Sequence, residues 1–266
     1  LFYYEVAGVA ALGGVQVRTI PNRRGLLDPA EIERAIRGEN IHFPRTTLLC
    51  LENTHNRGGG LAIGVAETAA MTAVARRHGV AVHLDGARLF NAAVALGVEP
   101  RALTAAVDSV NVCFSKGLGA PIGSAIAGSH AFVERARKVR KMLGGGMRQV
   151  GVIAAAALLA LRDGPKRLHV DHENARLFAQ KLSESGDFVI AGDVATNIVV
   201  FSVARPDPSA ADDAALLKRW ADNGVLIAPF GPNLFRAVTH LDVSRDQVLE
   251  AADRIVADSP VPAAAR

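Results

Sequence analysis

Short apolar runs alternate along this chain with amphipathic stretches, and the alternation predicts strands followed by helices. Residues 14–20 read as a strand, and Asp28-Pro29 then opens a helix reaching Arg37, with Asp as the cap and Pro in the first turn. Residues 46–51 read as a strand ending at Glu52-Asn-Thr-His-Asn56, and residues 67–78 as a helix stopped by Gly79. Three further strands are expected at 80–84, 109–114 and 122–127, the last one antiparallel, with a short helix at 92–96 between the first two. Residues 131–142 form a basic helix that Gly144-Gly-Gly146 breaks, and the alanine-rich residues 150–161 resemble a packed helix. Strands flanked by helices in this order give a mostly parallel sheet covered by helices, an α/β architecture. Beyond Gly164 the texture changes to a helix at 170–183, a strand at 197–203, a helix at 211–223, strands at 225–228 and 234–238, and a last helix from Arg245. Two domains are therefore expected: residues 1–164, and a smaller α+β unit at 165–266.

Composition fits an enzyme core. Half of the 266 residues are hydrophobic, which is enough for a sizeable core. The net charge of +4 is spread along the chain, and its densest run, from Arg135 to Lys141, has no interleaved aromatics. That run reads as the solvated face of a helix, so no nucleic-acid partner is expected. No apolar stretch reaches the length of a membrane span. Cys50 and Cys113 lie inside apolar runs and read as buried thiols, without a disulfide or metal site, in a reducing and cytoplasmic setting. The chain starts at Leu1-Phe-Tyr-Tyr-Glu5 without a methionine and reads like the interior of a domain, as a piece of a longer protein would.

Candidate chemistry centres on two strand ends. Lys116 closes one apolar run and opens a glycine-rich turn, whereas the other five lysines lie in charged or helical stretches. Asp85 closes the run Val80-Ala-Val-His-Leu84 and is followed by Gly-Ala-Arg88. A lysine able to form a Schiff base and a carboxylate able to pair with a pyridinium nitrogen are what pyridoxal phosphate requires. The competing reading makes Asp85 a turn cap and Lys116 a phosphate anchor. A P-loop is absent, however, because Lys116 precedes its glycines, and Gly117 to Gly123 lack dinucleotide-fold spacing.

Five segments together resemble the low-specificity L-threonine aldolases: Glu52-Asn-Thr-His-Asn56, His83-Leu-Asp-Gly-Ala-Arg88-Leu-Phe-Asn91, Ser115-Lys-Gly-Leu-Gly-Ala-Pro121, Arg140-Lys-Met-Leu-Gly-Gly-Gly-Met-Arg-Gln149 and Val238-Thr-His-Leu-Asp-Val-Ser244. The resemblance implies the aspartate aminotransferase-like fold of pyridoxal-phosphate-dependent transferases. It also implies retro-aldol cleavage of L-threonine or L-allo-threonine to glycine and acetaldehyde. On it, Lys116 holds the cofactor, Asp85 pairs with the ring nitrogen, and Arg88 fixes the cofactor or the substrate carboxylate. Arg236 binds that carboxylate, Arg148 and Lys141 serve the phosphate, and His55 assists deprotonation of the β-hydroxyl. A homotetramer, a dimer of dimers with sites between subunits, is implied as well. So are roughly eighty further N-terminal residues carrying a phosphate-binding turn, a ring-stacking histidine and a serine near the substrate carboxylate.

Blander readings stand beside these roles. His55 could serve only the loop backbone, and His83, on the same strand face as Asp85, reads as a supporting residue. Lys141 and Arg148 could be surface charges, and Gly58-Gly-Gly60 only a turn. Another lyase or a transaminase on the same fold, or a truncated and silent homologue, are the alternative functions.

Overall fold

The computed structural model describes residues 2–204 and 212–259. In chain order the elements are α1 (Gly8–Gly13), β1 (Asn22–Arg23), β2 (Leu26–Leu27), α2 (Pro29–Ala35), β3 (Leu48–Glu52), α3 (Val65–Arg77), β4 (Ala81–Gly86), α4 (Leu89–Leu96), α5 (Pro100–Thr104), β5 (Ser109–Cys113) and β6 (Ser124–Gly128). They continue with α6 (His130–Met142), α7 (Gly151–Glu184), β7 (Phe188–Ile190), β8 (Ile198–Val203), α8 (Asp213–Asp222), β9 (Ala228–Gly231), β10 (Leu234–Val238) and α9 (Arg245–Ala257). Residue 211 of the expected helix lies outside the described residues.

The first sheet has the order β3-β4-β5-β6, with β3, β4 and β5 parallel and β6 antiparallel to β5. Parallel pairing aligns the carboxyl ends of three strands, so Glu52 lies opposite Asp85 and Asp85 opposite Asn111. Ligands in such folds bind outside those ends. The core behind them is aliphatic, built on Leu49, Leu51, Met71, Val82 and Leu84. The second sheet, β7-β8-β10-β9, is antiparallel and packs Phe201, Phe235 and Trp220 with α7, α8 and α9.

Some sequence expectations are corrected. Residues 14–20 form no strand: Val15 and Val17 alternate suitably, but nothing pairs with them, and the nearest ladder is the two-residue β1–β2 pair. Val225 belongs to a helix cap. Gly224, at φ 81°, turns the chain after α8 and lets the Val225 amide donate to the Trp220 carbonyl at 2.8 Å. The strand therefore begins only at Ala228. Cys50 is exposed because it lies on the wall of a cavity, and Cys113, at the end of β5, is half-buried. Gly164 and Pro165 do not interrupt the chain, since α7 runs through both as one 34-residue helix. The glycine answers to a contact, as a Cβ on Gly164 would come within 2.8 Å of the Leu118 carbonyl oxygen. The texture change at 164 thus falls inside a helix.

A buried polar seam joins α4, α7 and the residue preceding β8. Asn91 Nδ2 donates to Asn197 Oδ1 at 3.2 Å and meets His172 Nε2 at 3.1 Å, while Asn197 Nδ2 donates to the Thr239 carbonyl at 2.9 Å. An amide N–H can only donate, so His172 Nε2 accepts and the ring is neutral. Burial, followed by the charge of Arg176, pushes the His172 pKa down to about 4. The folded value lies below the unfolded one of 6.5, so the unfolded chain takes up the proton first as pH falls. Stability is accordingly lost between those two values, by at most about 3 kcal/mol at the acid end. Urea unfolding at neutral pH and at about pH 4.5 should show a steeper acid loss for the native chain than for His172→Gln. Equal losses would remove His172 from this account.

Candidate active site

The carboxyl ends of β3, β4 and β5 open into a cavity of about 1300 Å³, whose walls include Glu52, His55, Asp85, Arg88, Lys116 and Arg236. Each side chain arrives by a distinct local device. Lys116 stands in a turn three residues beyond β5, closed by the Gly119 amide on the Lys116 carbonyl at 2.9 Å and by the Ala120 amide on the Phe114 carbonyl at 2.9 Å. Leu118 and Ala120 anchor this turn against Ala160 and Leu168 of α7. The close approach at Gly164 therefore holds the lysine turn in place.

Asp85 sits near the carboxyl end of β4. Its Oδ1 accepts from the Ala87 amide and from Asn111 Nδ2, both at 3.0 Å. Oδ2 has no hydrogen-bond partner among the described residues. Arg88 follows at the start of α4, half-buried. Burial, and next the neighbouring Arg236 charge, pull its pKa below the ordinary arginine value. Two guanidiniums sharing one cavity form a site for an anion.

Arg236 comes from β10 of the second sheet. Its Nη1 donates to Asn56 Oδ1 at 2.7 Å, its guanidinium lies 5.4 Å from the Phe230 ring centroid, and its Nε is buried without a partner. A buried N–H with nothing to donate to is costly in a folded chain and is relieved by an acceptor that enters the cavity.

His55 is fixed on several sides. Its Nδ1 accepts from the Gly58 amide at 3.0 Å, its Nε2 lies 3.6 Å from Glu52 Oε2, and a Cβ on Gly25 would come within 2.4 Å of its ring carbon. Burial lowers its pKa, against the opposing pull of Glu52. With Nδ1 accepting, the neutral ring carries its proton on Nε2, facing Glu52. Glu52 is braced in turn, its Oε1 accepting from the Asn56 amide at 2.8 Å.

Lys141 and Arg148 are not brought to this cavity. Lys141 ends α6, a helix without a buried residue, and Arg148 is exposed in the following segment. Glu52, Asn56 and Asn111 are the site residues that sequence reasoning left without a role. The available signal was periodicity: Asn111 interrupts an apolar run at the strand position opposite Asp85. Among the described residues no group of three His, Cys, Asp or Glu side chains could hold a metal ion, and no helix is long and apolar enough to cross a membrane.

Comparison with solved structures defines the class. A putative L-allo-threonine aldolase from Listeria monocytogenes superimposes with a TM-score of 0.78 at 19% identity, covering 97% of this chain and 71% of that one. The Oryza sativa TDC solved with PLP and tryptamine does so with a TM-score of 0.72 at 18% identity, covering 95% of this chain and 58% of that one. The fold is that of the pyridoxal-phosphate-dependent transferases, α/β and aspartate aminotransferase-like. A model of the beta-eliminating lyase family matches residues 1–206, and the low-specificity L-threonine aldolase 1 of Arabidopsis thaliana is 44% identical over 249 residues, covering 92% of this chain and 69% of the relative. The chain belongs to the beta-eliminating lyase family.

Proposed function

We propose that this protein cleaves the Cα–Cβ bond of L-threonine and L-allo-threonine, releasing glycine and acetaldehyde with pyridoxal phosphate as cofactor. The observation that carries the reading is the donor set of one cavity. It contains a lysine amine, a carboxylate with one free oxygen, and two guanidiniums, one with an unsatisfied buried N–H. These groups fit the cofactor's carbonyl, its ring nitrogen and an amino-acid carboxylate respectively. The family membership and the named relative support the same choice of substrate.

When bound, pyridoxal phosphate supplies an electron sink for the pair released as the Cα–Cβ bond breaks. Lys116 would hold the cofactor through Nζ, the lysine amine that lines the cavity. Asp85 Oδ2 keeps a negative charge toward the ring nitrogen. Arg236 and Arg88 grip the substrate carboxylate, and Asn56 braces Arg236 from behind. A neutral His55 reaches the β-hydroxyl as a donor, because its one proton is on Nε2 and Nδ1 is committed to Gly58. The hydroxyl proton goes to Glu52 Oε2, the carboxylate oxygen 3.6 Å from His55 Nε2, while the Nε2–H holds the hydroxyl oxygen. Glu52 is then the base and His55 the group that orients the hydroxyl toward it.

Acetaldehyde and glycine released from L-threonine by purified holoenzyme test the function directly; formation of pyruvate and ammonia from serine without acetaldehyde would favour a different lyase. For the base, Glu52→Gln should lower kcat by roughly 10²-fold with KM little changed. An unchanged kcat would leave deprotonation to another group.

The reading includes a cytoplasmic homo-oligomer, a dimer of dimers. Its support is the exposed apolar run Leu143, Met147, Val152 and Leu158 beside Lys141 and Arg148, whose phosphate role in this scheme needs a second copy. Light scattering at micromolar concentration should report an assembly, and a monomer would remove the phosphate role of both residues.

A further inference from the structure

The sheet register sets four polar side chains on one face of two adjacent parallel strands. His83 pairs with Ser109 and Asp85 with Asn111, and the two-residue spacing on each strand points all four the same way. Their hydrogen bonds are continuous: Ser109 Oγ to His83 Nδ1 at 2.8 Å, His83 Nε2 to Asn111 Oδ1 at 3.0 Å, and Asn111 Nδ2 to Asp85 Oδ1 at 3.0 Å.

The direction of this chain follows from donor chemistry. An ionised carboxylate only accepts, so the Asn111 end facing Asp85 is the NH₂, and its carbonyl oxygen faces His83. An oxygen there requires a proton on His83 Nε2. In the neutral ring Nδ1 is then bare and accepts from the Ser109 hydroxyl. Every hydrogen therefore points from Ser109 through His83 and Asn111 to Asp85, and each link polarises the next.

Asp85 receives this chain on one oxygen only. Oδ1 takes both Asn111 Nδ2 and the Ala87 amide, which fixes the rotation of the carboxylate, while Oδ2 is left for the cavity. We propose that Ser109, His83 and Asn111 are positioning residues that fix the rotation of the Asp85 carboxylate, with Oδ2 presented to the pyridine nitrogen of the cofactor. The proposal rests on the reading that Asp85 faces that nitrogen. None of the three need touch substrate, since they act through Asp85 on how tightly the cofactor is held and on the protonation of its ring.

The test reads cofactor affinity and the absorbance spectrum of the bound cofactor, beside thermal melts, for the holoenzyme and five variants. Asn111→Leu and His83→Phe keep similar volume and cut the chain at successive links. Each should weaken pyridoxal phosphate binding by about tenfold and shift the spectrum of the bound form. The double variant should be no worse than about twice the weaker single one, because links in series fail together. His83→Gln retains one donor and one acceptor and should restore affinity to within about twofold.

If Asn111→Leu and His83→Phe bind the cofactor with native affinity and spectrum while Asp85→Ala loses both, the relay is overturned and the role of Asp85 stands. An Asp85→Ala enzyme with native affinity and spectrum would overturn the role of Asp85 and the relay with it. Should Asn111→Leu fail to fold, the contrast between His83→Phe and His83→Gln decides alone: equal affinities refute the relay, and rescue by glutamine supports it.

Discussion

Lys116→Ala should lower threonine cleavage by roughly 10⁴-fold and leave no cofactor covalently attached. The size of the effect follows from the absence of a substitute amine. Of the other five lysines, Lys138 and Lys141 lie on α6, Lys166 and Lys181 on α7, and Lys218 on α8; none lines the cavity. Lys166, Lys181 and Lys218 are moreover paired with Asp163, Asp253 and Asp222. Borohydride reduction followed by peptide mass mapping should find the cofactor on the peptide holding Lys116 and on no other. Label on a different lysine, or a Lys116→Ala enzyme with residual turnover near the native rate, would refute the assignment. The fold should survive the substitution, because Lys116 is exposed and its turn is anchored by Leu118 and Ala120.

Arg236→Ala should raise KM for threonine by about 10- to 100-fold while the bound-cofactor spectrum stays native. A charge-assisted hydrogen bond contributes roughly 1.5–3 kcal/mol, and a guanidinium offers two in parallel to a carboxylate. Arg236 is held ready for that contact, with Asn56 on Nη1, the Phe230 ring near its guanidinium and Nε still unpartnered. Arg236→Lys should recover little, because an ammonium is a single point charge and cannot present the planar fork. Steady-state kinetics with titrated cofactor separates the outcomes. An unchanged KM would mean that the carboxylate is held elsewhere, and a lost cofactor spectrum would move Arg236 to the cofactor.

Strand ends were the most legible part of the site. Asp85 and Lys116 each close an apolar run, a pattern that burial alone does not produce, and both line the cavity. Arg88 and His55 could be placed because they lie three residues after Asp85 and Glu52, near the ends of β4 and β3. The limits are equally specific. Residues 14–20 alternate like a strand but have no partner, and pairing is a property of two segments. The texture changes beyond Gly164, yet one helix runs through it and the glycine there provides a close approach to Leu118. Lys141 and Arg148 belonged to a matching segment, and sequence contains no measure of their distance from the cavity.

By itself the sequence singled out Lys116 and Asp85 as candidates for the chemistry, and the order of strand and helix that brings three strand ends together. It did so because alternation and punctuation are local, and because few side chains can bond a carbonyl or keep a ring nitrogen charged. Tertiary structure alone decided the rest: Asn56 and Phe230 brace Arg236, and Glu52 faces the one protonated nitrogen of His55. It also decided that Asn111 joins His83 to Asp85, since that link depends on the register between two parallel strands. Register is set by packing across the whole sheet, and no local pattern encodes it.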